Sequence, residues 1–172
     1  MNTFAGARTL SEILDSFDAT SDELQKVEQF KEATECAFLE RFQPIAHTVV
    51  RRYFDAVADL LRHRGHQAEV VVSHGEGPED PSSAITAVAL WFSPRGKPVT
   101  MRGPMEARSA QVPHVIVRCE PARCKVITLE GTIGGMSRGS AGAGVMWDLS
   151  EVTEDALAER TTKIVYEALS FA

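Results

Sequence analysis

Histidine, carboxylate and glycine residues give this sequence its first candidate sites for chemistry. His63 and His66 have H-x-x-H spacing, and with His74 and Glu76 they would form a set of nitrogen and oxygen donors suited to a metal ion. Histidines near residue 63 are also typical of a helix C-terminus, where a cation interacts favourably with the helix dipole. We favour this second interpretation, and we expect neither a metal nor a cofactor.

A glycine-rich segment, residues 131–144, could bring backbone N–H groups close to a phosphate. It contains neither G-x-x-x-x-G-K-[ST] nor G-x-G-x-x-G, and the residues after it are typical of a strand rather than of the helix that both motifs need. A β-hairpin with the loop Ser137–Gly139 is the favoured interpretation. It predicts four cross-strand pairs: Ile133 with Ala143, Gly131 with Val145, Leu129 with Trp147, and Ile127 with Leu149.

The three cysteines, Cys36, Cys119 and Cys124, are an odd number, which favours reduced thiols. Pro121 suits the second position of a type I turn between the last two, so these thiols could face each other across a hairpin. Packing as small apolar side chains is favoured over a metal or redox pair. No known catalytic motif fits the predicted helices and strands, and the sequence therefore disfavours an enzyme.

Charge is distributed unevenly along the 172 residues, whose formal net charge is −6. Residues 1–83 carry 8 Lys/Arg against 15 Asp/Glu, residues 84–144 carry 8 against 3, and residues 145–172 carry 2 against 6. The basic middle could attract an anionic ligand, or it could complement acidic helices that pack beside it. The second interpretation is favoured.

The polar loop between residues 94 and 112 holds most of the cations that could bind an anion. Loops of this length are usually functional or disordered. Trp91 and Phe92 lie close to it in the sequence, but the negative net charge disfavours nucleic acid as the partner. The candidate ligand-binding residues are Arg95, Lys97, Arg102 and Arg108.

Hydropathy bounds the class of protein. The longest nearly uninterrupted apolar run, Ala84 to Phe92, is far shorter than the roughly 20 residues of a membrane-spanning helix. Residues 1–14 lack the pattern of a secretory signal. We therefore expect no membrane partner and a cytoplasmic location.

Two capping-box signatures predict two helices near the N-terminus. The first, at Thr9, predicts a short helix over 10–17, and the second, at Thr20, starts a helix that Gly65 ends, so that it covers 21–64. This second helix would be roughly 65 Å long, whereas a compact domain of this size is about 40 Å across. Pro44 interrupts it, and a kink there is favoured over a helical hairpin because residues 42–45 offer no Gly, Asn, Asp or Ser for a loop.

The long helix is too long and too widely apolar for its own domain, which predicts a homo-oligomer, most simply a dimer, formed through residues 21–61. Its first half has a thin apolar stripe edged by charge, which is typical of helix–helix packing. Its second half has two apolar rows side by side. One runs from Phe42 through Ile45, Val49 and Tyr53 to Ala56 and Leu60, and the other consists of Val50, Phe54, Val57 and Leu61. The expected interface residues are Leu24, Val27, Phe30, Phe38, Phe42, Ile45 and Val49.

After Gly65 the apolar period changes to two, which is typical of strands. Short connections predict five or six antiparallel strands in meander order, and Thr153 is placed to cap a C-terminal helix. The expected fold is α+β, with the long helix and the C-terminal helix on one face of the sheet. A single domain would comprise a helical segment over 1–20, an oligomerising helix over 21–64, and the sheet with its helix over 65–172.

These features predict a non-catalytic, oligomeric binding or adaptor protein, including a chaperone-like partner of another polypeptide. The alternative is a protein or enzyme that binds a small anionic molecule through the basic loop, residues 95–108. The expected partners are a second copy of the chain and another protein.

Overall fold

The computed structural model describes residues 10–75, 84–95, 112–131 and 144–170, and the structural statements below concern these residues. The first described elements are helical and follow one another without a break, from Leu10 to His63. Five strands and a final helix follow them. The elements are α1 (Leu10–Ile45), a π-helical segment (Ala46–Arg51), α2 (Arg52–His63), β1 (Gln67–His74), β2 (Ile85–Ser93), β3 (His114–Glu120), β4 (Lys125–Gly131), β5 (Val145–Trp147) and α3 (Glu154–Ser170).

The five strands form one sheet in the order β1-β2-β3-β4-β5, and every neighbouring pair is antiparallel. The connections after β1 and β3, residues 75–84 and 121–124, are too short for the crossovers that parallel neighbours require, so these two pairs have to be antiparallel. The predicted α+β fold and meander order are confirmed.

Both helical parts of the domain cover the same face of the sheet. The π-helical segment and α2 contact β1 and β2, whereas α3 contacts β3 and β4. The alternating residues of the strands that point to this side are apolar, as in Val88 and Leu90 of β2 and Val115 and Val117 of β3. These side chains and the two helices form the main hydrophobic core.

The long helix packs on the sheet through a row of buried side chains spaced four residues apart: Phe38, Phe42, Ala46, Val50, Phe54 and Ala58. A regular α-helix advances about 100° per residue, so residues four apart drift by about 40° at each step. The π-helical segment has wider turns, which removes part of this drift and keeps the row on the sheet.

This row takes Phe42 from one of the two rows that the sequence predicts, and Val50 and Phe54 from the other. The expected row through Ala56 and Leu60 assumed regular α-helical geometry, but both residues are exposed, and Ala58 is buried instead. The change of period in the π-helical segment accounts for the difference.

Pro44 neither reverses the helix nor ends it. The chain stays helical through Pro44 and passes directly into the π-helical segment, where Thr48 donates its hydroxyl to the Pro44 carbonyl at 2.7 Å. Proline has no N–H to donate to the preceding turn, so a change in the hydrogen-bond pattern at this point is expected. α1 also runs unbroken from Leu10 through Thr20, so the two helices predicted over 10–17 and 21–64 are continuous.

The side chain of Gln43 joins the helix to the start of β2. Its amide nitrogen donates to the carbonyls of Leu39 and Ile85, both at 3.0 Å, and its carbonyl oxygen accepts the Ile85 N–H at 2.7 Å. The side-chain amide thus pairs with the backbone of Ile85 as a neighbouring peptide group would. This contact fixes the helix along the sheet one residue before Pro44.

Both helix ends that the sequence predicts are present. After α2, Gly65 has φ +84°, Gly65 N–H donates to Arg62, and His66 N–H donates to Leu61, which is a Schellman motif. At the start of α3, the Thr153 hydroxyl accepts the Ala156 N–H at 3.2 Å.

The register of β5 differs from the predicted one. Trp147 lies opposite Val126 rather than Leu129, a shift of three residues in the pairing. Because side chains alternate between faces, this odd shift places Trp147 in the core beneath the helices. Gly144 makes the register possible, since a Cβ at this residue would lie within 3 Å of side-chain atoms of both Ile127 and Leu129. The predicted loop Ser137–Gly139 lies outside the described residues.

We expect Gln43→Ala to lower the free energy of unfolding by about 1–3 kcal/mol, because the N–H and carbonyl of Ile85 would lose their side-chain partner at a half-buried site. Urea denaturation followed by circular dichroism measures the change. Gln25→Ala, at an exposed residue of the same helix, is the matched control and should stay within about 0.5 kcal/mol of the parent. Equal effects of the two variants would contradict a role for the Gln43 contact.

Candidate functional site

The N-terminal part of α1, residues 16–37, extends beyond the core of its own domain, and we call it the arm. Every residue from 16 to 34 is exposed, and the first fully buried side chain of the helix is Phe38. Four large apolar side chains of the arm lie on one side of the helix. They are Phe17, Leu24, Val27 and Phe30, which are 69%, 65%, 66% and 76% exposed.

The expected interface residues divide into two groups in the structure. Leu24, Val27 and Phe30 lie on the arm and are exposed. The other four pack within their own domain: Phe38 and Phe42 are buried, and Ile45 and Val49 are half-buried against the core. The exposed apolar surface therefore lies on the arm, and it consists of these three side chains together with Phe17.

Sequence reasoning omitted Phe17 from the interface because it assigned this residue to a separate short helix. The available signal was its position seven residues before Leu24, which places both on the same side of a continuous helix.

A cleft of about 650 Å³ lies where the arm meets the domain. One wall is the last part of the arm and the first turn after it. The other wall is the turn between β3 and β4 together with the short 3₁₀ helix Leu149–Glu151 and the residue before it. The lining residues are Ala33, Thr34, Ala37, Phe38, Arg41, Cys124, Asp148, Leu149 and Ser150.

The cleft has an apolar floor and charged edges. Asp148 is held by Lys125, whose Nζ lies 2.8 Å from Oδ1, and this hydrogen bond raises the pKa of Lys125. The Asp148 carboxylate also accepts the Glu151 N–H in a capping box, in which the Asp148 N–H donates to the Glu151 carboxylate at 2.7 Å, so the Asp148 carboxylate is already engaged. The exposed Arg41 remains as a cation that an incoming acidic side chain could meet.

The basic loop contributes little to the described structure. Arg95 is exposed, and its side chain lies against Gly65. Its backbone N–H donates to Nδ1 of His66 at 3.1 Å. The other candidate ligand-binding residues, Lys97, Arg102 and Arg108, lie outside the described residues. His66 is occupied by this contact, and the described residues contain no cluster of three or more metal-binding side chains.

The cysteines are free thiols in three different environments. Cys119 is buried and lies opposite Val126, and burial raises its pKa to about 12, which makes it unreactive. Cys124 follows a 3₁₀ turn with φ 49° and lines the cleft rather than facing Cys119 across the hairpin. Cys36 is exposed on the arm.

The opposite face of the sheet holds a second, smaller cluster that includes Trp91 and Ile116. Here His114 lies between Trp91 on β2 and Gly131 on β4, and its ring centre is 4.8 Å from that of Trp91. Its Nδ1 lies 2.9 Å from the Val112 carbonyl, so Nδ1 carries the proton that is donated. Burial lowers the pKa of His114, with the Val112 hydrogen bond acting in the opposite direction.

Comparisons with protein-family models, with curated proteins and with solved structures find no match to this chain. Within the parts of the chain that the structure describes, no helix is both long and apolar enough to cross a bilayer. The arm and the cleft present exposed apolar side chains, and charged side chains lie at the edges of the cleft.

We expect Gly131→Ala to destabilise the fold by about 1–3 kcal/mol, because the added methyl would lie 2.8 Å from Nε2 of the buried His114 ring and closer still to Cε1. Gly75→Ala is the control, since a methyl there meets Thr86 at an ordinary 3.8 Å. Thermal and urea unfolding measure both. Introducing His114→Ala together with Gly131→Ala should restore part of the loss, and strictly additive effects would show that the ring is not the obstacle.

We expect the free energy of unfolding to fall as the pH drops below about 6.5, the ordinary pKa of histidine, towards the lower pKa of His114 in the folded state. The unfolded chain binds the proton more tightly in this window, so protonation favours unfolding. Urea denaturation between pH 7.5 and 5 measures the dependence. His114→Phe should flatten it, whereas His47→Phe, at an exposed histidine, should leave it unchanged. An equal slope in the parent and His114→Phe would contradict this assignment.

Proposed function

We propose that this protein is a non-catalytic, oligomeric binding or adaptor protein that associates through its arm, and that a chaperone-like role towards another polypeptide is one form of this function. The observation that carries the proposal is a set of four large, exposed apolar side chains on one side of the arm, which extends beyond the core of its own domain. They are Phe17, Leu24, Val27 and Phe30. These four side chains are each about two thirds exposed or more. Together they present on the order of 400 Å² of apolar surface. Exposed patches of this size often mark interaction sites.

The energetics of an isolated helix support the same proposal. A helix of roughly 20 residues with no tertiary contacts is marginal in water, even when its sequence favours helix. The arm continues a helix that is nucleated and anchored by the domain, but only its base contributes to the cleft, and its residues from 16 to 34 are exposed. Association would bury the apolar side and stabilise the helix at the same time.

A homo-oligomer, most simply a dimer, is the simplest form of this association, because identical arms present the same apolar side. The three free cysteines are consistent with a reducing compartment, and we propose a cytoplasmic location on this basis. Sedimentation equilibrium at micromolar concentration tests the association, and a monomer at all concentrations up to about 100 µM would exclude a stable dimer.

We expect Val27→Asp to abolish or strongly weaken self-association while leaving the unfolding of the domain nearly unchanged, because Val27 is exposed and lies outside the core. Burying a carboxylate in an apolar interface costs several kcal/mol. Gln25→Asp is the matched control, since it adds the same charge on the opposite side of the same helix. Sedimentation and urea denaturation of the three proteins measure both properties. Equal loss of association in both variants would attribute the effect to net charge rather than to the apolar stripe.

A further inference from the structure

The apolar stripe of the arm continues into the cleft. From Leu24 the stripe passes through Val27 and Phe30 to Ala33 and Ala37 in steps of three or four residues. Ala33 and Ala37 line the cleft, so the stripe and the cleft floor form one continuous surface. The average spacing between successive residues of the stripe is shorter than the 3.6 residues of a helical turn. Two helices that pack along such a stripe wind around each other with a left-handed supercoil. A helix packed along the stripe would therefore have one end inside the cleft.

The charge of α1 distinguishes the two possible orientations of a second copy. Residues 10–23 carry five acidic side chains and no basic one, whereas residues 26–41 carry three basic and four acidic side chains. Parallel pairing would place the two strongly acidic segments side by side. Antiparallel pairing places each of them beside a nearly neutral segment that includes Lys31 and Arg41, and it also aligns the helix dipoles favourably.

We propose that two copies of the chain pair through their arms in antiparallel orientation, and that the Phe17 end of each arm occupies the cleft of the other copy. This inference rests on the proposed association through the arm and adds to it the orientation and the second binding surface. The second copy would complete each cleft, and each dimer would contain two equivalent sites related by a two-fold axis.

The register follows from the exposed side chains. Centring the pair on Val27 places Leu24 of one copy level with Phe30 of the other, so the large side chains of the stripe face one another. Phe17 and Ala37 lie at equal distances from Val27, roughly 15 Å along the helix, so Phe17 of one copy comes level with Ala37 of the other. The cleft volume of about 650 Å³ is ample for a phenylalanyl side chain. In this register Glu23 is level with Lys31.

Cys124 provides a native reporter inside the cleft, because it lines the cleft and is half-buried there. Ser16 and Thr20 flank Phe17 and are exposed, so Ser16→Cys and Thr20→Cys place a thiol at the arm end without removing Phe17. Both variants are made with Cys36→Ser, which removes the exposed thiol of the arm. A short bis-maleimide is added to an equal mixture of ¹⁴N- and ¹⁵N-labelled chains, and mass spectrometry identifies the joined peptides.

We expect a mixed-isotope product that joins residue 16 or 20 of one chain to Cys124 of the other, and we expect Cys124→Ser to abolish it. Phe17→Ala should raise the dissociation constant of the dimer about tenfold or more, as measured by sedimentation. Gln25→Cys, on the opposite side of the helix, should give no link to Cys124.

Two results would overturn the inference while leaving the proposed association intact. These are a dimer in which residue 16 or 20 links to its own counterpart, which would show parallel arms, and a dimer with no link to Cys124. A chain that sediments as a monomer would refute both the inference and the association through the arm.

Discussion

Packing of the long helix on the sheet through side chains four residues apart is the interaction on which the rest of the structure depends. The row from Phe38 to Ala58 forms the helical wall of the core, and the strands and α3 complete the core around it. An α-helix of this length would turn such a row away from the sheet, so the π-helical segment after Pro44 is needed to keep it in contact. Gln43 fixes the same point from the sheet side by pairing with the backbone of Ile85.

This anchoring determines what the arm can do. The buried row begins at Phe38, and residues 16–34 of α1 before it are exposed and extend beyond the core that holds the helix in place. The arm therefore combines a rigidly positioned base with an unpaired apolar side. Beyond this base the arm has few tertiary contacts and is marginally stable on its own, so association would also stabilise its helix. The cleft lies at the base, where the arm, Cys124 and the Leu149 turn meet.

Much of the fold could be predicted because it depends on local chemistry. The Gly65 and Thr153 helix ends follow from backbone conformation and side-chain capping. The antiparallel pairs β1–β2 and β3–β4 follow from the short connections between their strands. The π-helical segment could not be predicted, because the apolar residues of this part of the helix were assigned to rows with the period of a regular α-helix. The register of β5 was wrong for a different reason. It depends on the core site of Trp147 and on the close approach of Gly144 to β4, which only the folded sheet creates.

The candidate site was predicted only in part, because the local pattern determines some of its residues and the folded sheet determines the others. The exposed residues Leu24, Val27 and Phe30 follow from the stripe alone, but burial of Phe38 and Phe42 depends on where the sheet lies along the helix. The cleft joins the arm to two turns that are about 90 and 115 residues away in the chain, so no local pattern could reveal it.

The central claim is that one helix serves as a core wall after Phe38 and as a free association surface before it. Hydrogen exchange measured by mass spectrometry at several protein concentrations tests this claim most directly. We expect amides of residues 42–61 to be protected equally at all concentrations, and amides of the arm to exchange rapidly in dilute solution and slowly as the concentration rises. Protection of the arm that does not change with concentration, or that changes equally in residues 42–61, would contradict the account.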